Sequence, residues 1–155
     1  MCPVCHRRLT EGVFSRLQHL AGKDVLQMAE QKTDEKGVNI YHDPRKLHPP
    51  YSKMVSLLEI IADTYHVGVG SKKVQTMYTK MVSDIGPEMD ILLKISFNDL
   101  KQKIDKNIVE GIAKVRAGNI AITPGFDGEY GKVRIWSEEE RTLLTRDTSQ
   151  LQLDL

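Results

Sequence analysis

Apolar residues recur at helical spacing over most of the chain, and the repeat breaks at glycine, proline and cap-forming residues that delimit the elements. Thr10 caps a first helix with apolar positions Val13, Leu17 and Leu20, and Gly22 stands where a helix commonly stops. From Gln31 to Pro50 the chain turns polar, through Asp34, Gly37, Asn39, Asp43, Pro44 and Pro49, and reads as a linker or long loop. The next helix opens near Ser52, places Met54, Leu57, Leu58, Ile61 and Tyr65 on one face, and ends at Gly68. Ser71 caps another, with Val74, Met77, Tyr78, Met81, Val82 and Ile85 inward and Gly86-Pro87 as its stop.

Ile91, Leu93 and Ile95 alternate, which predicts a short strand over 90–96, although so brief an apolar run also fits a buried helical turn. Asn98 caps a further helical region carrying Leu100, Ile104, Ile108, Ile112 and Val115 as far as Gly118, with a break near Asp105. Ile120 and Ile122, then Val133 and Ile135, flank a glycine-rich loop and predict a β-hairpin. Ser137 followed by Glu138, Glu139 and Glu140 starts a last helix, since acidic side chains in a first turn complement its exposed amides. The expected fold class is mainly α (α+β): a helical domain with a small C-terminal β-hairpin, preceded by half of a zinc knuckle. The expected segments are a knuckle and helix over 1–30, a linker over 31–50, a helical domain with the hairpin over 51–136 and a tail over 137–155.

Composition narrows the class. With 155 residues, 40% hydrophobic and 28% charged, the chain suits one globular domain with a small appendage and not a collagen-like, mucin-like or disordered polymer. Apolar runs are broken at Glu59 and Asp63, well short of the roughly 20 residues a membrane-spanning helix needs. The first residues lack the apolar region of a secretory signal, so a cytoplasmic chain is expected. A formal net charge of +1 gives no global nucleic-acid signal and leaves room for a local cluster of Lys and Arg.

Four stretches carry candidate chemistry. Cys2-Pro3-Val4-Cys5 has the form of a zinc knuckle, in which a tight turn aims two thiolates at one tetrahedral metal. The other two ligands would be His42 and His48, or residues upstream of Met1; a redox pair, although no βαβ pattern follows it, and a plain exposed dithiol are the remaining readings. The five histidines form no catalytic constellation, and no catalytic residue is expected in this chain. Gly68-Val69-Gly70-Ser71-Lys72-Lys73 sets backbone amides, the Ser71 hydroxyl and the Lys72 and Lys73 ammonium groups at a helix N-terminus, an arrangement suited to a phosphate. Helix caps at Gly68 and Ser71 with solvated lysines account for the same residues.

Within Thr123–Gly131, Gly125 lets backbone approach a ligand while Phe126 or Tyr130 stacks on a base, or the aromatics simply belong to the core of a hairpin. Lys132 and Arg134 alternate with Val133 and Ile135 and extend a basic strip along one strand face. At the end of the tail, Gln150, Leu151, Leu153 and Leu155 alternate with polar residues, as in segments that enter a preformed pocket or dock on their own domain.

The C-terminal run resembles the bacterial sliding-clamp-binding hexapeptide. In order along the chain, Cys2-Pro3-Val4-Cys5, Pro49-Pro50-Tyr51, Leu57-Leu58-Glu59-Ile60-Ile61-Ala62, Gly68-Val69-Gly70-Ser71-Lys72-Lys73-Val74, Lys114-Val115-Arg116 and Pro124-Gly125-Phe126-Asp127-Gly128-Glu129-Tyr130-Gly131-Lys132 resemble the C-terminal part of endonuclease Q. That family joins a polymerase-and-histidinol-phosphatase (PHP) catalytic domain to a zinc-binding module. The resemblance runs over residues 1–136 and is poor over 31–46. It implies DNA repair by nicking 5′ of deaminated bases (uracil, hypoxanthine, xanthine) and at abasic sites. The catalytic metal ions would belong to an N-terminal domain without counterpart in these residues. It also implies that Cys2 and Cys5 are the second pair of a four-cysteine zinc site, with His6 where the family usually has glycine. The expected partners are damaged duplex DNA, the sliding clamp and a separate catalytic chain. The alternatives are an interaction module brought to the clamp without DNA contact of its own, or the remnant of a truncated gene.

Overall fold

The computed structural model describes residues 3–4, 6–7, 12–21, 29–123, 125 and 130–142. Cys2, Cys5, Phe126, Gln150, Leu151, Leu153 and Leu155 lie outside them. The expected class holds: the described residues form six helices and two two-stranded antiparallel sheets, with a further helical turn over 138–142. Among the described residues no helix is long and apolar enough to cross a membrane.

α1 (Val13–Ala21) forms where its periodicity predicts it, but Val13, Leu17 and Leu20 all stay exposed. Residues 31–50 depart most from expectation. They hold the second strand and most of the first of a hairpin, β1 (Glu30–Thr33) paired with β2 (Asn39–His42). Its turn is closed by Asp34, whose Oδ1 accepts from the Lys36 and Val38 amides at 2.9 and 2.8 Å. Thus Asp34 and Gly37, which read as linker residues, make a turn, and β1 escaped notice because Glu30, Gln31, Lys32 and Thr33 are all exposed. Tyr41 and Tyr51 add one further antiparallel bridge to this hairpin. The hairpin is fastened to the helices, because Asn39 Nδ2 donates to the Ala117 carbonyl at 2.7 Å.

α2 (Leu57–Thr64) begins at Ser56 and not near Ser52. Ser56 and Glu59 close a capping box, worth about 1 kcal/mol, that satisfies two amide donors. α3 (Lys72–Asp84) is capped by Ser71 as expected. The strand expected over 90–96 is a helix, α4 (Glu88–Leu93). Ile91 and Leu92 are adjacent and both buried, a pattern that a helix permits and a half-exposed strand does not. Glu88 joins three elements here: its carboxylate accepts from the Leu57 amide at 2.7 Å and from the Tyr78 hydroxyl at 3.0 Å. This bond raises the Tyr78 hydroxyl above its ordinary value.

The last helical region divides near Asp105, as its sequence indicates. α5 (Phe97–Lys103) is capped by Ser96, two residues before the expected Asn98, because the Ser96 hydroxyl accepts from the Asp99 amide. α6 (Lys106–Arg116) is capped by Asp105. The core lies between α2 and α6, where Ile60, Ile61, Ile108 and Ile112 are wholly buried. Gly111 permits this approach, since a Cβ there would stand 3.0 Å from the Ile60 side chain.

β3 (Ala121–Thr123) and β4 (Lys132–Arg134) form the expected C-terminal hairpin, with Ile122 opposite Val133 and Thr123 opposite Lys132. Past β4 the buried Trp136 seals the core and donates from its indole N–H to Thr64 Oγ1 at 3.2 Å.

Candidate nucleic-acid interface

The connection from α2 to α3 places the predicted phosphate-binding residues. α2 ends in a Schellman turn: the His66 amide donates to the Asp63 carbonyl at 3.3 Å and the Val67 amide to the Ala62 carbonyl at 3.0 Å. The left-handed residue of this turn is His66 (φ 55°), not Gly68. α6 closes the same way with a glycine, Gly118 (φ 67°), in the equivalent place. Expecting Gly68 to stop α2 therefore misplaced the cap by two residues and leaves Gly68 without that role.

A turn then runs from Gly68 to Ser71, closed by the Ser71 amide on the Gly68 carbonyl at 2.9 Å and steadied by Gln75 Nε2 on the Val69 carbonyl at 3.0 Å. A Cβ added at Gly68 or Gly70 would meet nothing within 4 Å, and neither glycine has a positive φ. Among the described residues, neither backbone strain nor packing accounts for two glycines here. Close approach of an external group would.

Ser71 Oγ accepts from the Val74 amide, and no other side chain among the described residues caps the first turn of α3. The first turn of α3 holds no acidic residue and carries Lys72 and Lys73 instead, both exposed. Cations at the positive end of a helix oppose its dipole by about 0.3–1 kcal/mol each, so the helix gains nothing from them there. The Lys73 ammonium sits 3.8 Å above the Tyr65 ring centre. Tyr65 is itself pushed above its ordinary value, first by burial and then by the charge of Asp105.

The hairpin borders the same region. A hollow of about 270 Å³ is lined by Asp63, Val67, Gly68 and Val69 on one side and by Val133, Ile135 and Arg141 on the other. Asp63 holds the two sides together, accepting from the Ile135 and Trp136 amides at 2.8 and 3.2 Å and from Arg141 at 2.7 Å. Hence the glycine loop and β4 meet at one hollow, and Lys132 stands next to Val133 on its rim strand. Gly125 and Tyr130, between β3 and β4 in the chain, are both exposed, Tyr130 at 95%, so it is not a core residue. Arg134 is engaged by Glu138 in an ion pair.

Asp63, Arg141 and Tyr65 were not anticipated as parts of this region. Asp63 reads as one polar position on an amphipathic helix, and nothing local signals that its partners lie 72 residues or more further on. His48 points its Nδ1 to Asp43 Oδ2 at 2.9 Å, and this bond, foremost, lowers Asp43 to about 2. Among the described residues no three His, Cys, Asp or Glu side chains are grouped to hold a metal ion.

With this helical architecture and its glycine loop in view, comparison with known proteins gives the class. Residues 56–119 match the family described as the MJ0043 C-terminal domain. The uncharacterized protein MJ0043 of Methanocaldococcus jannaschii is 30% identical over 148 residues, covering 92% of this chain and 17% of that protein. The crystal structure of the lesion-specific endonuclease PfuEndoQ from Pyrococcus furiosus superposes with a TM-score of 0.63 at 26% identity, over 88% of this chain and 30% of that one. Endonuclease Q in complex with a 27-mer duplex substrate carrying an abasic lesion also gives a TM-score of 0.63 at 26% identity, over 90% and 30%. The chain is therefore similar in sequence and fold to the C-terminal part of endonuclease Q, as the ordered motifs indicate, and spans under a third of each of these proteins.

Proposed function

We propose that this chain is the non-catalytic, DNA-binding C-terminal portion of an endonuclease Q-like repair nuclease that nicks 5′ of deaminated bases and at abasic sites. The observation that carries this reading is the α3 N-terminus, with two glycines unexplained by folding, two lysines and no acid in the first turn. Backbone amides and ammonium groups at a helix N-terminus bind a phosphodiester without reading sequence. Lys132 and the exposed Tyr130 would extend the contact along the hairpin, together with Gly125 and Phe126. The likeness to a nuclease solved with an abasic duplex supports DNA as the ligand.

Alanine at Gly68 and Gly70 tests the reading, because a Cβ there has open space and should leave the melting temperature unchanged or raise it. Duplex affinity should fall while the fold stands. Equal affinity would remove the loop from the interface.

Zinc belongs to the proposal as a structural ion near the N-terminus. Cys2 and Cys5 supply two soft thiolate donors, half of a tetrahedral set, so these two residues do not complete a site by themselves. The sliding clamp is the proposed protein partner of Gln150, Leu151, Leu153 and Leu155; deleting residues 150–155 should abolish clamp binding and leave DNA binding intact. Catalysis would come from elsewhere in the nuclease, on the same polypeptide or a separate chain.

A further inference from the structure

Away from the α2–α3 loop, the N-terminal hairpin presents a second arrangement suited to a nucleic acid. Tyr41 and Tyr51 exchange both backbone hydrogen bonds, at 2.8 and 3.1 Å, and their rings stack with centres 5.2 Å apart and planes 17° from parallel. The pair is held from several sides. Pro49 and Pro50 restrict the backbone entering Tyr51, and β2 pairs with β1 behind Tyr41.

The Lys53 ammonium lies 4.9 Å from the Tyr41 ring centre. Tyr41 is thus covered by a ring and a cation, whereas Tyr51 remains 52% exposed. A large aromatic surface fixed in orientation and left open to water forgoes burial that a small domain could use.

The turn that leads into this pair is basic. Arg45, Lys46 and His48 follow Asp43 within five residues, and the carboxylate of Asp43 is already occupied by the Arg45 amide at 2.9 Å, by the Arg45 Nε at 3.4 Å and by His48 at 2.9 Å. With Lys53, the cations here outnumber the one engaged acid. An ordered aromatic face bordered by Lys and Arg suits a strand whose base stacks while its phosphates meet the cations. Stacking needs an unpaired base, since a paired one offers its face only to its neighbours in the duplex.

We propose that Tyr51, backed by Tyr41, is a stacking platform for an unpaired DNA base, with Lys46 and Lys53 neutralising the adjoining phosphates. The ligand class follows from the proposed DNA-binding function, and the site is separate from the α3 N-terminus. Its role would be to favour DNA in which a base has left the helix, a preference that phosphate contacts alone do not provide.

The test uses the full 155-residue chain with two duplexes of equal length, one fully paired and one carrying a single unpaired 2-aminopurine. The chain should bind the second more tightly and change the fluorescence of its 2-aminopurine. Tyr51→Ala should weaken binding to that duplex about tenfold and leave the paired duplex unaffected. Tyr51→Trp, which also stacks on Tyr41, should keep the preference and thereby separate stacking from any loosening of the hairpin. Equal loss on both duplexes, or equal loss in the Ala and Trp variants, would overturn the platform. Binding to paired duplex with no preference for the unpaired base would overturn the platform alone, whereas absence of binding to either duplex would overturn the DNA-binding function with it.

Discussion

The guanidinium of Arg116 donates to the backbone carbonyl of Lys36 at 2.9 Å, across 80 residues of sequence. The same side chain, 1% exposed, also donates to the carbonyls of Ile91, Leu92 and Ile95 and lies against the Phe97 ring. Its charge is thus set at the C-terminal end of α4, where unpaired carbonyls carry partial negative charge. One buried cation thereby fastens the β1–β2 hairpin, α4 and α6 to each other. Burial pushes its pKa below the ordinary value, though a guanidinium remains protonated at any physiological pH.

Replacing Arg116 with Lys keeps the charge but cannot reproduce a planar fork that reaches four carbonyls. The expected loss is about 3 kcal/mol of unfolding free energy, because buried acceptors are left without donors. Urea denaturation measures it, and a loss below about 1 kcal/mol would mean that water replaces the guanidinium at little cost.

Arg116 also marks the limit of what the sequence disclosed. The cap at Ser71, the break near Asp105, the helical spacing along α3 and α6 and the C-terminal hairpin could all be read, because each signal lies within a few residues of its consequence. Nothing local in the sequence signals the burial of Arg116 at the end of an amphipathic helix, since its acceptors come from two other segments. The hairpin at 30–42 was hidden for the same reason: its first strand is polar, and it is fixed by Asn39 and Arg116, which act from a distance. At the candidate interface, Ser71, Lys72 and Lys73 were legible as a helix start. The absence of any internal requirement for Gly68 and Gly70 emerged only once their surroundings were known.

His66 occupies a left-handed position that glycine fills in the matching turn after α6, and both of its ring nitrogens are buried without hydrogen-bond partners among the described residues. His66→Gly should therefore stabilise the domain by about 1 kcal/mol, by removing the clash of a Cβ in that conformation. Thermal unfolding checks the sign. Destabilisation would mean that packing of the imidazole ring outweighs the strain.

Glu140 supplies a pH-dependent contribution. Its carboxylate accepts from Lys114 foremost and from the Ser137 amide, which holds its pKa below the ordinary 4.5. A group lowered in the folded state stabilises above its unfolded pKa, and that contribution disappears as pH falls through the folded value. Glu140→Gln should accordingly lower the melting temperature at pH 7, and the gap to the parent should close below that folded value. A gap that stays constant through acid pH would assign the effect to packing and not to charge.

The salt dependence of duplex binding tests the central claim most directly. Binding constants for the parent chain and for Lys72→Ala/Lys73→Ala are measured across a range of salt concentrations, with paired and lesion-bearing duplexes. Two lost phosphate contacts should make the log–log slope shallower by about 2 and weaken both duplexes alike. An identical slope and affinity in the double variant would contradict a phosphodiester contact at the N-terminus of α3.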